Sequence, residues 1–213
     1  KLDRGYPLVR LDDGALLRCE HATALVKGHD QRAVIGDVVR VAVPDSHDKG
    51  VIESIAPRTR EFVRKDPTER ALPQVLAANF ERVIVAQPVS EVNLRRLERE
   101  LVLAFETGAA VAVVLTKGDL SADGAAAEGA LRAVRELAGP NVEVLLVSEA
   151  DPASVEAVRC LLTPGTTTVL IGRSGVGKSS LVNMLVGSDV LEVGAVREGD
   201  GKGRHTTVSR EIV

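Results

Sequence analysis

The chain has 213 residues and a formal net charge of −3; it is 45% hydrophobic but only 2% aromatic, with no Trp. That length suits one large domain or two smaller ones. The slight acidity gives no overall electrostatic case for nucleic acid, and the dearth of aromatic rings argues against base stacking as a main mode of RNA binding. No apolar run is long enough to cross a bilayer, and no basic-then-apolar leader stands at the start. The 2 cysteines, Cys19 and Cys160, are far apart and have no CxxC or His-rich company. A cytoplasmic chain with reduced thiols, no zinc site and no membrane partner is expected.

Residues 1–60 alternate apolar and polar side chains in short runs separated by turn signals. "GALLRCE", "RAVIGDVVRVAV" and "GVIESIA" read as strands, and "LDDG" and "VPDSHDKG" as loops. Several short strands without a helical stripe predict a small β-barrel, either OB-like or SH3-like. The proline- and charge-rich stretch "PRTREFVRKDPTERALPQVLAAN" predicts a linker or strap. From about residue 80 the periodicity changes. "RVIVAQ" reads as a buried strand, and "VNLRRLERELVLAFETG" as a helix with Leu94, Leu97, Leu101 and Phe105 on one face, ending at Gly108. The strand "AVAVVL", an Ala-rich helix near 125–138, the strand "VEVLLV", a helix near 152–162 and the strand "TTVLI" follow. Strands alternating with helices predict a parallel sheet covered on both faces.

The next residues, Gly172-Arg173-Ser174-Gly175-Val176-Gly177-Lys178-Ser179, fit G-x-x-x-x-G-K-S, with Ser180 following in the helical "KSSLVNMLVG". Chance supplies this pattern in roughly one chain of this length in a hundred. Its place between a strand and an amphipathic helix is the context a phosphate site requires. The glycines let successive N–H groups converge on phosphates, Lys178 supplies positive charge, and Ser179 offers a hydroxyl to Mg²⁺ at a helix N-terminus. A phosphate loop alone does not choose the base. Upstream, "VVLTKGDL" sets Thr116-Lys117-Gly118-Asp119 at a strand end, the [N/T]-K-x-D pattern of guanine-specific sites. A carboxylate at Asp119 accepts from guanine N1–H and from its exocyclic amine, which adenine lacks. Lys117 can lay its stem along the base. Thr116, standing for the commoner Asn, keeps a side-chain oxygen with shorter reach, which predicts an intact but looser site. The next strand ends in "LLVSEA", and Ser148-Glu149-Ala150 is similar to the loop that closes over guanine through backbone amides, with Ala150 one place late.

After the phosphate loop comes "EGDGKGRHTTVSR". Its glycines, charges and threonines suit a switch that ligates Mg²⁺ when a γ-phosphate is present. Thr207 is the first candidate and Thr206 the second, with a surface hairpin loop as the alternative. His205 is a candidate to orient an attacking water, although a loop histidine is more commonly just solvated. Asp200-Gly201-Lys202-Gly203 matches D-x-x-G in letters but precedes the threonines and has no strand before it, so it is set aside.

Ordinary GTPases read phosphate loop, switch threonine, D-x-x-G, N-K-x-D, S-A. Here T-K-x-D and S-x-A come first, a rotation of order that a domain with neighbouring termini tolerates. Together with "GDVVRV", "GVIESIAPRTREFVRK", "LAANFERVIVAQ", "TKGDL", "GRSGVGKSSLVNML" and "GKGRHTT", that order resembles the ribosome small subunit-dependent GTPases of the RsgA/YjeQ type. The resemblance implies an OB-fold-like barrel over 1–62, a linker over 63–79 and a circularly permuted α/β GTPase domain over 80–213. It implies GTP/GDP and Mg²⁺ as ligands, and GTP hydrolysis stimulated by the 30S ribosomal subunit late in that particle's maturation. It also implies rRNA contact by the barrel and a monomer in the cytoplasm. A D-x-x-G strand and a zinc-binding segment (Zn²⁺) are expected beyond Val213, so the stretch in hand should bind nucleotide better than it hydrolyses it. Rival readings are a P-loop ATPase or kinase, in which Asp119 has no role, and a nucleotide-independent RNA-binding scaffold.

Overall fold

Short alternating runs in the N-terminal part fold as strands, and buried aliphatic runs further on fold as a parallel sheet. The computed structural model describes residues 2–3, 6–29, 32–44, 48–64, 74–120 and 124–191. Contacts divide these into one unit within Lys1–Asn79 and a second within Phe80–Asp200.

In the first unit β1 (Leu2–Asp3), β2 (Tyr6–Arg10), β3 (Leu16–His21), β4 (Val39–Ala42) and β5 (Gly50–Ile55) make a 5-stranded sheet in the order β1-β2-β3-β5-β4. Neighbours are antiparallel except β3 and β5, which run parallel. Its core is small: Cys19, Leu25, Ala33 and Ile52, with Val9, Leu17, Val39, Val41 and Ile55 packed against it.

Three sequence expectations change here. A helix, α1 (Thr23–His29), separates β3 from β4; two turns are too short to display a helical period. "RAVIGDVVRVAV" is not one strand, because it turns at Gly36, whose φ is +89°. A Cβ there would lie 2.0 Å from the Ala78 carbonyl oxygen, so only glycine fits both the backbone and the space. The expected linker over 63–79 is paired strand at both described ends: β6 (Glu61–Arg64) and β7 (Gln74–Ala78) run antiparallel. Phe62 and Ala78 are buried on that pair, an alternation hidden among prolines and charges in the sequence.

Polar links tie these pieces together. The Asp37 carboxylate, 1% exposed, accepts from Arg58 Nε at 2.7 Å and from its NH2 at 2.8 Å, and takes the Val34 N–H at 2.7 Å. Arg58 also reaches Glu61 at 3.1 Å and the Arg32 carbonyl at 3.3 Å. Asn79, with φ +54°, donates to the Gly36 carbonyl at 3.0 Å and accepts from Thr59 N–H at 2.9 Å.

In the second unit β8 (Arg82–Pro88), β9 (Ala110–Thr116), β10 (Glu143–Leu146) and β11 (Thr168–Ile171) form a 4-stranded sheet in the order β10-β9-β8-β11, parallel throughout. Alternation along the strands sorts their side chains. Ile84, Ala112 and Val114 pack with Val155, Val158, Leu161 and Leu181, which come from or follow α4 (Pro152–Arg159) and α5 (Lys178–Val186). Val83, Val85 and Val113, at the alternate positions, are fully buried, and α2 (Leu94–Glu106) contacts β8 and β9 while α3 (Gly124–Ala138) contacts β10.

The buried stripe of α2 is Leu97, Leu101 and Ala104, whereas Leu94 and Phe105 are exposed. At about 100° per residue, Phe105 falls about 80° round the helix from Leu97, off the buried face. Asn93 caps this helix by accepting from the Arg96 N–H at 3.0 Å. Helix α4 stops at Arg159, three residues before the expected end, and begins on the Asp151 cap with Pro152 in its first turn. Among the described residues, no helix is long and apolar enough to cross a membrane.

Candidate nucleotide site

Parallel strands bring their carboxyl ends to one edge, and that is where ligands bind in open α/β sheets. Three loops leave this edge. The phosphate loop follows β11, Thr116-Lys117-Gly118-Asp119 follows β9, and Ser148-Glu149-Ala150 closes the segment after β10.

The phosphate loop is shaped by glycine. Gly172 has φ +148°, and a Cβ there would lie 2.4 Å from the Ala86 carbonyl oxygen at the end of β8. Gly177 caps α5 at φ 92° with no side-chain cap, leaving the helix N-terminus to an anion. Arg173, Ser174 and Gly175 are exposed, Val176 is buried, and Ser179 and Ser180 are half-buried in the first turn of α5. Lys178 folds back onto its own loop, its Nζ donating to the Gly172 carbonyl at 2.9 Å and the Arg173 carbonyl at 2.7 Å. Burial pushes this ammonium below the ordinary lysine value, and the Glu100 carboxylate opposes that push.

Thr116 couples β9 to this loop. Its hydroxyl is buried, donates to the Val176 carbonyl and lies 3.3 Å from the Gln87 carbonyl. The shorter side chain therefore reaches the phosphate loop directly. Lys117 follows with φ +61°, which swings the chain into the short turn Gly118–Leu120 and leaves Asp119 exposed. That turn is held against the neighbouring loop by Gly118 N–H to the Val147 carbonyl at 2.9 Å, and by Val147 N–H to the Leu115 carbonyl at 2.7 Å. Ser148 is fixed in turn: its N–H meets Ser154 Oγ at 3.1 Å, and its own Oγ accepts from Ala150 N–H at 3.2 Å.

The three loops converge on a cleft lined by Thr116, Lys117, Val147, Glu149, Gly177, Ser180 and Met184. Glu149, not the late Ala150, lines it. Two lining residues, Val147 and Met184, escaped the sequence reading. Met184 stands four residues after Ser180, one helical turn on, and that spacing was the available signal. Gln87 was also missed; it is the lone polar side chain closing the apolar run of β8. It is 4% exposed, accepts from Asn93 N–H at 3.1 Å and donates to Glu100 at 3.1 Å. His205, Thr206, Thr207 and Asp200-Gly203 lie outside the described residues. Among the described residues no group of three His, Cys, Asp or Glu could hold a metal ion. Ser179, half-buried in the first turn of α5, offers a hard hydroxyl oxygen of the kind Mg²⁺ takes beside phosphate oxygens.

Residues 55–213 match the family model described as RsgA GTPase. A small ribosomal subunit biogenesis GTPase RsgA of Streptomyces avermitilis is 41% identical over 214 residues, covering 100% of this chain and 56% of the relative. The RsgA of Xanthomonas campestris pv. campestris is 40% identical over 184 residues, covering 86% of this chain and 48% of the relative. Among solved structures, YjeQ from Thermotoga maritima superposes with TM-score 0.62 at 25% identity, over 82% of this chain and 58% of that one. YloQ, described as a circularly permuted GTPase, gives TM-score 0.58 at 25% identity, over 86% of this chain and 61% of that one. The chain spans about half the length of the curated relatives it matches. With the rotated motif order on one sheet edge and the family model matched over most of its length, the chain belongs to the RsgA GTPase family.

Proposed function

We propose that this chain is the nucleotide-binding part of a GTPase that serves small ribosomal subunit maturation, taking GTP and Mg²⁺ and releasing GDP and phosphate. The observation that carries this reading is the cleft where Gly177 and Ser180 of the phosphate loop meet Thr116-Lys117 and Val147-Glu149. The parallel sheet sets these loops at one edge, and what favours a nucleotide there is that they carry G-x-x-x-x-G-K-S, T-K-x-D and S-E-A. In this reading Gly172 through Ser180 cradle the phosphates, with Lys178 exchanging the carbonyls of Gly172 and Arg173 for phosphate oxygens. Asp119 accepts from the guanine N1–H and amine, Lys117 covers the base, and Ser148, Glu149 and Ala150 close its far side. Ser179 and Thr207 hold the metal, and His205 orients the water. When bound, Mg²⁺ supplies charge neutralisation at the β- and γ-phosphate oxygens.

Residues 1–62 are assigned to an OB-fold-like barrel that touches rRNA, 63–79 to the connection and 80–213 to the permuted GTPase domain. Support for the barrel comes from the five strands, their non-sequential order and the parallel β3–β5 pair. The names of the relatives point to the 30S subunit as partner, and a monomer in the cytoplasm fits that role. The deciding experiment is nucleotide titration of Asp119→Asn. Xanthosine triphosphate, whose C2 carbonyl needs a donor, should replace GTP as the preferred ligand. Unaltered GTP preference in that variant would exclude the guanine assignment. Hydrolysis measured with and without purified 30S subunits tests the partner, and an unstimulated rate in the full-length protein argues against it.

A further inference from the structure

Resting on the nucleotide-site reading above, we propose that Gln87, at the carboxyl end of β8, is a positioning residue for the nucleotide. Its side chain fixes the strand end against which both the phosphate loop and the base loop are set. Along β8 the alternate positions Val83, Val85 and Gln87 are buried, and the two valines need only apolar cover. A glutamine in that row must have its amide bonded, because a buried unpaired amide costs more than an aliphatic side chain of similar size. Both of its ends are bonded. The Asn93 N–H, at the head of α2, donates to Gln87 Oε1 at 3.1 Å, and Gln87 Nε2 donates to Glu100 Oε2 at 3.1 Å. The side chain therefore bridges the turn over 88–92 and ties β8 to α2 at two points.

Two consecutive carbonyls at this tied end meet the site. That of Ala86 faces Gly172 so closely that a Cβ there would lie 2.4 Å from its oxygen. That of Gln87 lies 3.3 Å from the Thr116 hydroxyl, which donates to the Val176 carbonyl within the phosphate loop. Gly172 opens the phosphate loop and Thr116 opens Thr116-Lys117-Gly118-Asp119, so one strand end sets the spacing between them. An aliphatic residue at position 87 would fill the same space but give it no direction. The strand end would then be free to shift, and a misplacement of about 1 Å beneath a binding site costs up to about a hundredfold.

Calorimetric titration of the full chain with GTP and with GDP, well below the melting temperature, tests this. Gln87→Met keeps the length and burial of the side chain and removes both bonds. It should weaken GTP and GDP alike, by roughly tenfold, because the strand end serves contacts that the two nucleotides share. Glu100→Met cuts one bond from the helix side and should weaken both by about threefold. Val83→Ala is the control: it opens a cavity on the same face of the same strand, lowering the melting temperature while leaving both affinities at the parent's value. The exchange Gln87→Glu with Glu100→Gln turns the amide–carboxylate bond round and keeps an acceptor for the Asn93 N–H. It should recover the parent's affinity to within about twofold, a response to bond direction that packing alone does not give. If Gln87→Met binds both nucleotides as the parent does, or loses no more than Val83→Ala, the residue serves stability alone and the inference is overturned. An exchange variant that binds no better than Gln87→Met overturns it too. Should Gln87→Met not fold, Glu100→Met set against the exchange makes the same comparison. Failure of the parent itself to bind guanine nucleotide would instead sink the site reading on which the proposal stands.

Discussion

The two units solve the problem of buried polarity in opposite ways. In the first, the core is a handful of residues, and a charged pair, Asp37 with Arg58, sits at the joint between the Gly36 turn, the end of β5 and the β6–β7 pair. In the second, aliphatic side chains cover the sheet, and the fully buried polar residues of the described chain, Gln87, Thr116 and Asn183, lie at strand ends or on the phosphate helix. Interior polarity joins strand and turn in one unit and sits beside the candidate nucleotide loops in the other. A small apolar core cannot by itself lock its loops, so ion pairs and amides do so. A larger core has less need of them.

Breaking the Asp37–Arg58 pair should give the largest effect. Arg58→Met leaves the Asp37 carboxylate buried and unpaired, a loss of about 3–5 kcal/mol. Chemical denaturation should show an early transition from the first unit while nucleotide binding by the second persists; a single concerted loss of both would dissolve the contrast. Lys178→Ala is the mirror experiment. It should weaken GTP about a hundredfold by calorimetry, from loss of charge-assisted phosphate bonds, with little change in melting temperature. Thr116→Val sharpens the point at one residue. Losing the bond to the Val176 carbonyl should cost about 1–2 kcal/mol of stability and several-fold in affinity, and Thr116→Ser should restore both.

The smallest effect is a pH dependence confined to the first unit. His21 Nε2 accepts the Ala33 N–H at 2.9 Å, and burial, with Arg32 nearby, holds its pKa below the ordinary histidine value. The unfolded chain therefore takes up a proton at a pH where the folded one does not. The contribution of His21 is present above about pH 6.5 and is lost as pH falls through its lowered folded value. Melting curves of the parent and His21→Gln should converge on acidification.

What was legible in advance follows the same division. The second unit announced its strands as unbroken aliphatic runs, and its site as short motifs whose chemistry is written in residue type: Gly172, Lys178, Asp119. Gln87, Glu100 and Met184 carried no such mark, because their roles come from where β8, α2 and α5 meet. The first unit was read less well. Seven residues of α1 are too few for a period, and the turn at Gly36 is enforced by the Ala78 carbonyl forty residues downstream, which no local pattern records. Likewise, β6 and β7 became strands by pairing with each other, although their surroundings look like a linker.

The strand order has a consequence for how the nucleotide-binding unit is made. Arg82 of β8 pairs with Thr168 of β11, so the strand that delivers the phosphate loop docks beside one synthesised much earlier. Parallel pairings between distant segments form late because the intervening chain must first be closed. During translation, the loops after β9 and β10 emerge before β11, and the phosphate loop follows them. A ligand held by the phosphate loop can then engage only when β11 is seated, so its binding reports that pairing and, by mass action, holds β11 in place.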